Sequence, residues 1–359
     1  MENMVNSQLE IYRNKKIVVT GHTGFKGSWL CMVLLKLGAE VHGYSLEPKT
    51  PHDNFSSTNL EKQLHHTIGN ILDRKKLNDF IQKVNPDFVF HLAAQAIVLD
   101  SYTNPVETFE TNIMGSVHVF EAVRKCGNTQ GIINVTSDKC YQNKEWVWGY
   151  RENDAMGGND PYSASKGAAE LVAHAYNTSF FKDTDCTLAS VRAGNVIGGG
   201  DWAAFRIVPD FFRAFINKAA LEIRNPDATR PWQFVLEPLT GYLLLGAALL
   251  GKEPKKFDGG WNFGPLNATH KTVMTLLNEI KKESSLETIE VKHVSNAMHE
   301  AQYLQLDITK ATTQLNWNPK LNFEETVKFT VDGYFDEIQF SSSALLQKRM
   351  SMIDLYLTK

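Results

Sequence analysis

The chain is short of cysteine and has no long apolar run. Its four cysteines, Cys31, Cys126, Cys140 and Cys186, are scattered over 359 residues with no Cys-x-x-Cys pair. That spacing leaves no thiolate metal site and no disulfide framework; scattered thiols fit a reducing cytosol. Each reads as a small core hydrophobe. No uninterrupted apolar stretch reaches the roughly 18 residues of a membrane span. Met1 to Asn14 carries charges and lacks the apolar core of a secretory signal. Charge of one sign is missing too. The formal net charge is −3, the signs are mixed, and no basic patch points to nucleic acid. Internal repeats and low-complexity segments are absent. The expectation is a cytoplasmic protein in which one large α/β unit carries a smaller lobe.

What is present is an alternation of strands and helices. Ile17–Thr20 reads as a buried strand. Gly21-His22-Thr23-Gly24-Phe25-Lys26-Gly27 follows it, then an apolar run to Leu37 with Leu30, Leu34 and Leu37 at helical spacing. Gly38 closes that helix, and Val41–Tyr44 reads as the next strand. Gly21 permits a tight turn, and the later glycines let backbone N–H groups at a helix start meet a pyrophosphate. The spacing is Gly-x-x-Gly-x-x-Gly. The second strand ends in Tyr44-Ser45-Leu46-Glu47, without arginine, which favours NAD over NADP, although Glu47 comes late for a ribose contact.

The pattern predicts helices at Arg74–Val84, Pro105–Lys125 and Tyr162–Phe181. It predicts strands at Phe88–Ala94, Ile132–Thr136 and Leu188–Arg192. Such alternation implies an α/β chain with a doubly wound parallel sheet of Rossmann type. Beyond Gly194 the pattern changes. Gly198–Trp202 reads as a flexible loop, and Ile207–Ala220, Leu236–Gly251 and Thr269–Glu283 as helices. Arg224 to Trp232 holds two arginines and a tryptophan, suited to a diphosphate beside a flat base. The expected division is 1–194 for the nucleotide-binding domain with the catalytic residues. Residues 195–335 then form mainly a substrate lobe, with some chain returning to the first domain, and 336–359 a helical tail.

The chemistry gathers where a strand ends in Thr136-Ser137-Asp138-Lys139. The carboxyl edge of an open α/β sheet is where ligands bind. Tyr162 and Lys166 stand four apart, on one helix face. An ammonium beside a phenol favours the phenolate, lowering a pKa normally about 10. Such a phenol can take a proton from a sugar hydroxyl while hydride leaves the same carbon.

These residues resemble the extended short-chain dehydrogenase/reductase family over nearly the whole chain. The resemblance is carried by Thr20–Leu30, His91–Gln95, Thr136–Tyr141, Glu145–Glu152, Ala193–Trp202 and Arg230–Leu239. Within the family the likeness is to the nucleotide-sugar 4,6-dehydratases. It implies a lyase that holds NAD as a catalyst and takes CDP-glucose. Oxidation at C4 acidifies the C5 proton, water leaves from C5 and C6, and hydride returns to C6. By this resemblance Tyr162 accepts the C4 hydroxyl proton, Lys166 lowers its pKa and holds the nicotinamide ribose, and Ser137 bonds the same oxygen. Asp138 protonates the departing C6 hydroxyl. Lys139 stands where related dehydratases have glutamate; it is the C5 base if neutral, and otherwise an electrostatic group on the enolate. Cofactor contacts are expected from Gly21, His22, Thr23, Gly24, Phe25, Lys26, Gly27, Asn70, Ile71, Leu92, Ala93 and Ala94, besides Tyr162 and Lys166. Substrate contacts are expected from Gln95, Asn195, Arg230 and His299. His22 puts an imidazole into the phosphate-binding turn, which implies loose NAD binding unless the ring points to solvent. The family context suggests deoxysugar synthesis for surface polysaccharide and a homodimer or homotetramer, with Pro105–Lys125 and Tyr162–Phe181 pairing subunits. An epimerase, or a dehydratase for another nucleotide sugar, keeps the same frame. A non-catalytic NAD sensor need not keep Ser137, Asp138, Tyr162 and Lys166 together.

Overall fold

Seven parallel strands form the central sheet. The structure is a computed structural model that describes residues 7–265, 271–286, 289–294 and 303–359. Five of the strands are β1 (Lys16–Thr20), β2 (Glu40–Ser45), β3 (His65–Ile68), β4 (Phe88–His91) and β5 (Gly131–Val135). β6 (Thr187–Ala193) and the edge strand Gly259–Phe263 complete it. β4, β5 and β6 are buried along their whole length, as strands covered on both faces must be. From one edge the order is Gly259–Phe263, β6, β5, β4, β1, β2, β3. The chain winds outward from β1 to β3, then crosses back to β4 beside β1. The strand order therefore reverses between β1 and β4, and their carboxyl ends diverge into a crevice.

Helices cover both faces. Phe25–Lys36, Leu236–Leu249 and Ser342–Leu357 share one apolar core with the sheet, through Trp29, Leu243 and Ile353 among others. Arg74–Val84 and Gly115–Arg124 cover the opposite face through Leu77, Ile81, Val119 and Phe120. A separate core in the second lobe joins Phe211 and Phe212 to Leu276, Leu277, Ile280, Val327 and Tyr334. No helix among the described residues is long and apolar enough to cross a membrane.

Arg74–Val84 runs as its sequence predicts because both ends are marked. Asp73 accepts the Lys76 N–H, and Asn85 turns left-handed at φ 51°. Pro105–Lys125 is not one regular helix. Pro105–Phe109 passes into a π-helical turn at Glu110–Met114 before Gly115–Arg124 resumes. That widened turn carries Asn112, which holds Gln95 N at 2.8 Å, Gln95 O at 3.0 Å and Ser165 Oγ at 2.8 Å. The helix of Tyr162 likewise changes from α at Pro161–Tyr176 to π at Asn177–Phe181. Thr269, the expected start of another helix, lies outside the described residues; the helix itself is Val273–Ser284.

Glu237 pins the carboxyl-terminal helix to the helix Leu236–Leu249. Its buried carboxyl accepts Lys320 N at 2.9 Å, Leu321 N at 2.7 Å and Tyr356 OH at 2.9 Å. Burial raises it to about 7. A folded pKa above the unfolded value of about 4.3 means the folded chain holds the proton more tightly. Glu237 therefore stabilises fully below the unfolded value, and that contribution fades as pH rises toward about 7. Glu237→Ala leaves these donors without a partner and is expected to cost about 3 kcal/mol. Urea unfolding on both sides of the interval should show the larger loss on the acid side.

Candidate active site

The crevice between β1 and β4 opens into a cleft of about 1750 Å³ that runs from the sheet edge into the second lobe. Single small-ligand sites occupy about 300–1,000 Å³, so this one has room for two ligands.

Its floor is the glycine turn. Gly21 has φ +75°, and a Cβ there would stand 2.7 Å from Ala93 N. A Cβ on Gly27 would meet the Gly21 carbonyl at 2.1 Å. Gly24 caps the following helix with no side-chain acceptor. The first N–H groups of that helix therefore face the cleft, in the arrangement that receives a phosphate. The residues fit a dinucleotide pyrophosphate. Thr23 to Gly27, Asn70, Ile71, Leu92, Ala93 and Ala94 all line the cleft.

His22 does not. It is buried behind the turn, with its Nε2 2.6 Å from His66 Nδ1 and its ring against Phe55. Gly43 on β2 makes the room, since a Cβ there would lie 2.3 Å from the imidazole. Burial lowers His22 to about 3, so it is neutral. The ring neither blocks the phosphate face nor meets solvent, which corrects both sequence readings of it. His22→Gly would open a cavity under the turn and is expected to cost about 2–4 kcal/mol in urea unfolding. It should not tighten dinucleotide binding in a titration.

The reactive wall is the end of β5. Ser137 donates to Asp138 Oδ1 at 2.9 Å and caps the single turn Asp138–Cys140. Asp138 is 3% exposed. Burial raises its carboxyl, against the opposing pull of the Lys139 charge, the Ser137 hydroxyl and Arg230. Lys139 lines the cleft beside it.

Tyr162 enters from its helix, which begins with Pro161 and is capped by Asp160, whose carboxylate accepts Ser163 N at 2.9 Å. Its backbone N–H is held by Ser101 Oγ at 3.2 Å. The phenol is 8% exposed, and burial pushes it up to about 12; the Ser137 hydroxyl and the Arg206 guanidinium pull the other way. Lys166 is lowered to about 8 by burial, and its Nζ donates to Val135 O at 3.4 Å. The net shift of the phenol is thus upward, where the sequence implied downward. Desolvation outweighs the Arg206 charge.

Of the expected substrate contacts, Gln95, Asn195 and Arg230 line the cleft. The Gln95 amide is already engaged, donating to Ile97 O and Thr108 Oγ1 and accepting Ile97 N. It shapes its own loop. Arg230 is buried next to Asp138, with Nη1 on Thr229 O at 2.7 Å. His299 lies outside the described residues.

Three groups escape the sequence reading. Glu170 follows Lys166 by four positions and receives both Nε and Nη2 of Arg192 at 2.9 Å, while Thr136 donates to it from the end of β5. The repeat Tyr162, Lys166, Glu170 along one helix face was its signal, as was a lone arginine in an apolar strand. Arg206, paired with Asp201 at 2.8 Å, lines the cleft from the second lobe. His91 is neutral, lowered to about 3 by burial, and ties Thr20 Oγ1 at 2.7 Å to Ser116 Oγ at 3.0 Å.

The family model described as GDP-mannose 4,6 dehydratase matches residues 18–330. The chain is 49% identical over 343 residues to the CDP-glucose 4,6-dehydratase of Salmonella typhimurium, covering 94% of this chain and 95% of that one. Among solved structures, UDP-glucose 4-epimerase of Thermotoga maritima with UDP-glucose superposes with a TM-score of 0.76 at 26% identity, covering 90% of this chain and 100% of that one. The dTDP-glucose 4,6-dehydratase of Streptomyces venezuelae, with NAD bound, gives 0.77 at 21% identity, covering 92% and 99%. The latter likeness is one of fold.

Proposed function

From the premise that the chain belongs to the GDP-mannose 4,6-dehydratase family, within the extended short-chain dehydrogenases/reductases, we propose that it converts CDP-D-glucose to CDP-4-dehydro-6-deoxy-D-glucose and water. The observation that carries this reading is the meeting of Ser137, Asp138, Lys139, Tyr162 and Lys166 on one wall of the cleft. NAD, when bound, supplies the acceptor for the C4 hydride and gives the hydride back at C6. Backbone N–H groups of Thr23 to Gly27 would hold its pyrophosphate, and Ile71, Ala93 and Lys166 its remaining length. Glu47 lines the cleft just beyond β2.

The chain's own side chains divide the proton traffic. Tyr162 accepts the proton of the C4 hydroxyl, with Ser137 on the same oxygen. Once C4 is a ketone, C5 is acidic, and loss of its proton builds negative charge on the C4 oxygen. Asp138, whose carboxyl burial raises toward its protonated form, delivers a proton to the C6 hydroxyl so that it leaves as water. Lys139 lines the same wall of the cleft, and its role is read from C5 proton exchange with solvent. Undiminished exchange in Lys139→Met excludes the base role. Arg230 and Asn195 face the nucleotide-sugar half.

Incubating the protein with CDP-glucose and NAD, then following mass and ketosugar absorbance in base, tests the reading. Loss of one water supports it. A product of unchanged mass means epimerisation, and no product at all removes the enzyme reading. The exposed apolar residues Val106, Phe109, Met114, Leu171 and Phe180 lie on the two helices proposed to pair subunits. Light scattering should therefore report a dimer or tetramer.

A further inference from the structure

Arg349 lies on the last helix, far from the cleft in sequence, and the reaction as derived makes no use of it. Its side chain is fully buried. Its Nε donates to Asn54 Oδ1 at 3.0 Å, its Nη1 to Gly333 O at 3.0 Å, and its Nη2 to the Glu337 carboxylate. The guanidinium also lies 5.2 Å from the centre of the Trp29 ring. A buried cation is tolerated only where its partners are this complete.

Every one of those partners also grips a single turn, Gly199–Trp202. Trp29 Nε1 donates to Gly199 O at 3.0 Å, and Asn54 N to Gly200 O at 3.3 Å. Glu337 Oε2 accepts Trp202 Nε1 at 2.7 Å. Gly333 and Gly199 meet backbone to backbone, so closely that a Cβ on Gly199 would stand 2.6 Å from the Gly333 carbonyl carbon. Tyr334, next to Gly333, donates to Asp201 O at 2.5 Å. From this turn the chain runs directly into the second-lobe wall of the cleft, residues 202–210, and Asp201 holds Arg206 on that wall.

We infer that Arg349 is a positioning residue for the nucleotide-sugar: through Asn54, Gly333 and Glu337 it fixes the turn Gly199–Trp202, and with it the wall 202–210. The substrate named in this inference rests on the dehydratase reading. The planar fork of a guanidinium reaches its partners in three directions, and an ammonium cannot do so from one point. Lysine is therefore a poor substitute.

Arg349→Met alone strands the Glu337 carboxylate. The test therefore uses the full chain carrying Arg349→Met with Glu337→Gln, in which no charge is left without a partner, beside Arg349→Lys. Both proteins should fold, with KM for CDP-glucose and the dissociation constant for CDP raised about tenfold and kcat changed less than about threefold. CDP binding is read from tryptophan fluorescence. A folded double variant with wild-type KM and CDP affinity overturns the inference, as does a fall in kcat alone with KM unchanged. If the wild-type chain binds CDP but leaves CDP-glucose intact, the dehydratase reading fails while the CDP titration still decides the role of Arg349.

Discussion

Tyr162→Phe is expected to lower kcat by about 10³-fold, the usual scale for losing a positioned acid–base group. The phenol is nearly buried, faces Ser137 and Asp138, and lines the cleft that also holds Arg230. Its ring packs as before in the variant, so urea unfolding should move little. That separates a chemical loss from a folding loss. The pH profile carries a second sign. Burial places the phenol at about 12, and only its ionised form can take a proton. The phenol's own contribution to the wild-type rate therefore climbs as pH rises toward about 12. The variant should lose that climb. A Tyr162→Phe enzyme that retains the wild-type rate would remove the phenol from the mechanism.

Asp138→Asn carries the next largest effect, a fall of about 10²–10³-fold in water release. The substitution keeps the size of the side chain and its contact with Ser137, but an amide cannot deliver a proton to a leaving hydroxyl. C5 proton exchange with solvent precedes that delivery, so it should continue. Deuterium uptake by recovered CDP-glucose, without loss of mass as water, is the expected signature. Loss of both together would place Asp138 at an earlier step. Because burial raises the Asp138 carboxyl, its useful protonated form is lost as pH rises. Tyr162 and Asp138 thus titrate in opposite senses, and the rate should pass through a maximum between them.

How much of this was legible beforehand differs from element to element. Arg74–Val84 was legible because caps and apolar spacing agree. The parallel, doubly wound character of the sheet was legible because strands and helices alternate, but its strands His65–Ile68 and Gly259–Phe263 were not. The widened turn at Glu110–Met114 was not, since a π turn keeps the same apolar face on either side of it. The position of His22 was not, since nothing in its neighbours says that Gly43, on the adjacent strand, leaves a hollow for a ring. Tyr162 and Lys166 were found by spacing, but the direction of the phenol's shift depends on desolvation, a property of the folded neighbourhood. Arg349 reaches Asn54 across 295 positions of sequence, and local pattern carries no trace of such a pairing.

The edge strand Gly259–Phe263 has a consequence for biosynthesis. It pairs with β6 in full register, from Gly259 against Ala189 to Phe263 against Ala193. Until the ribosome has delivered it, β6 presents a row of open amides and carbonyls flanked by apolar side chains, a template for association with another chain. The Leu236–Leu249 helix, which shields the same end of the sheet, also arrives late. A fragment ending near residue 194 should therefore aggregate on release. The nascent chain should resist protease only after about residue 263 has cleared the exit tunnel.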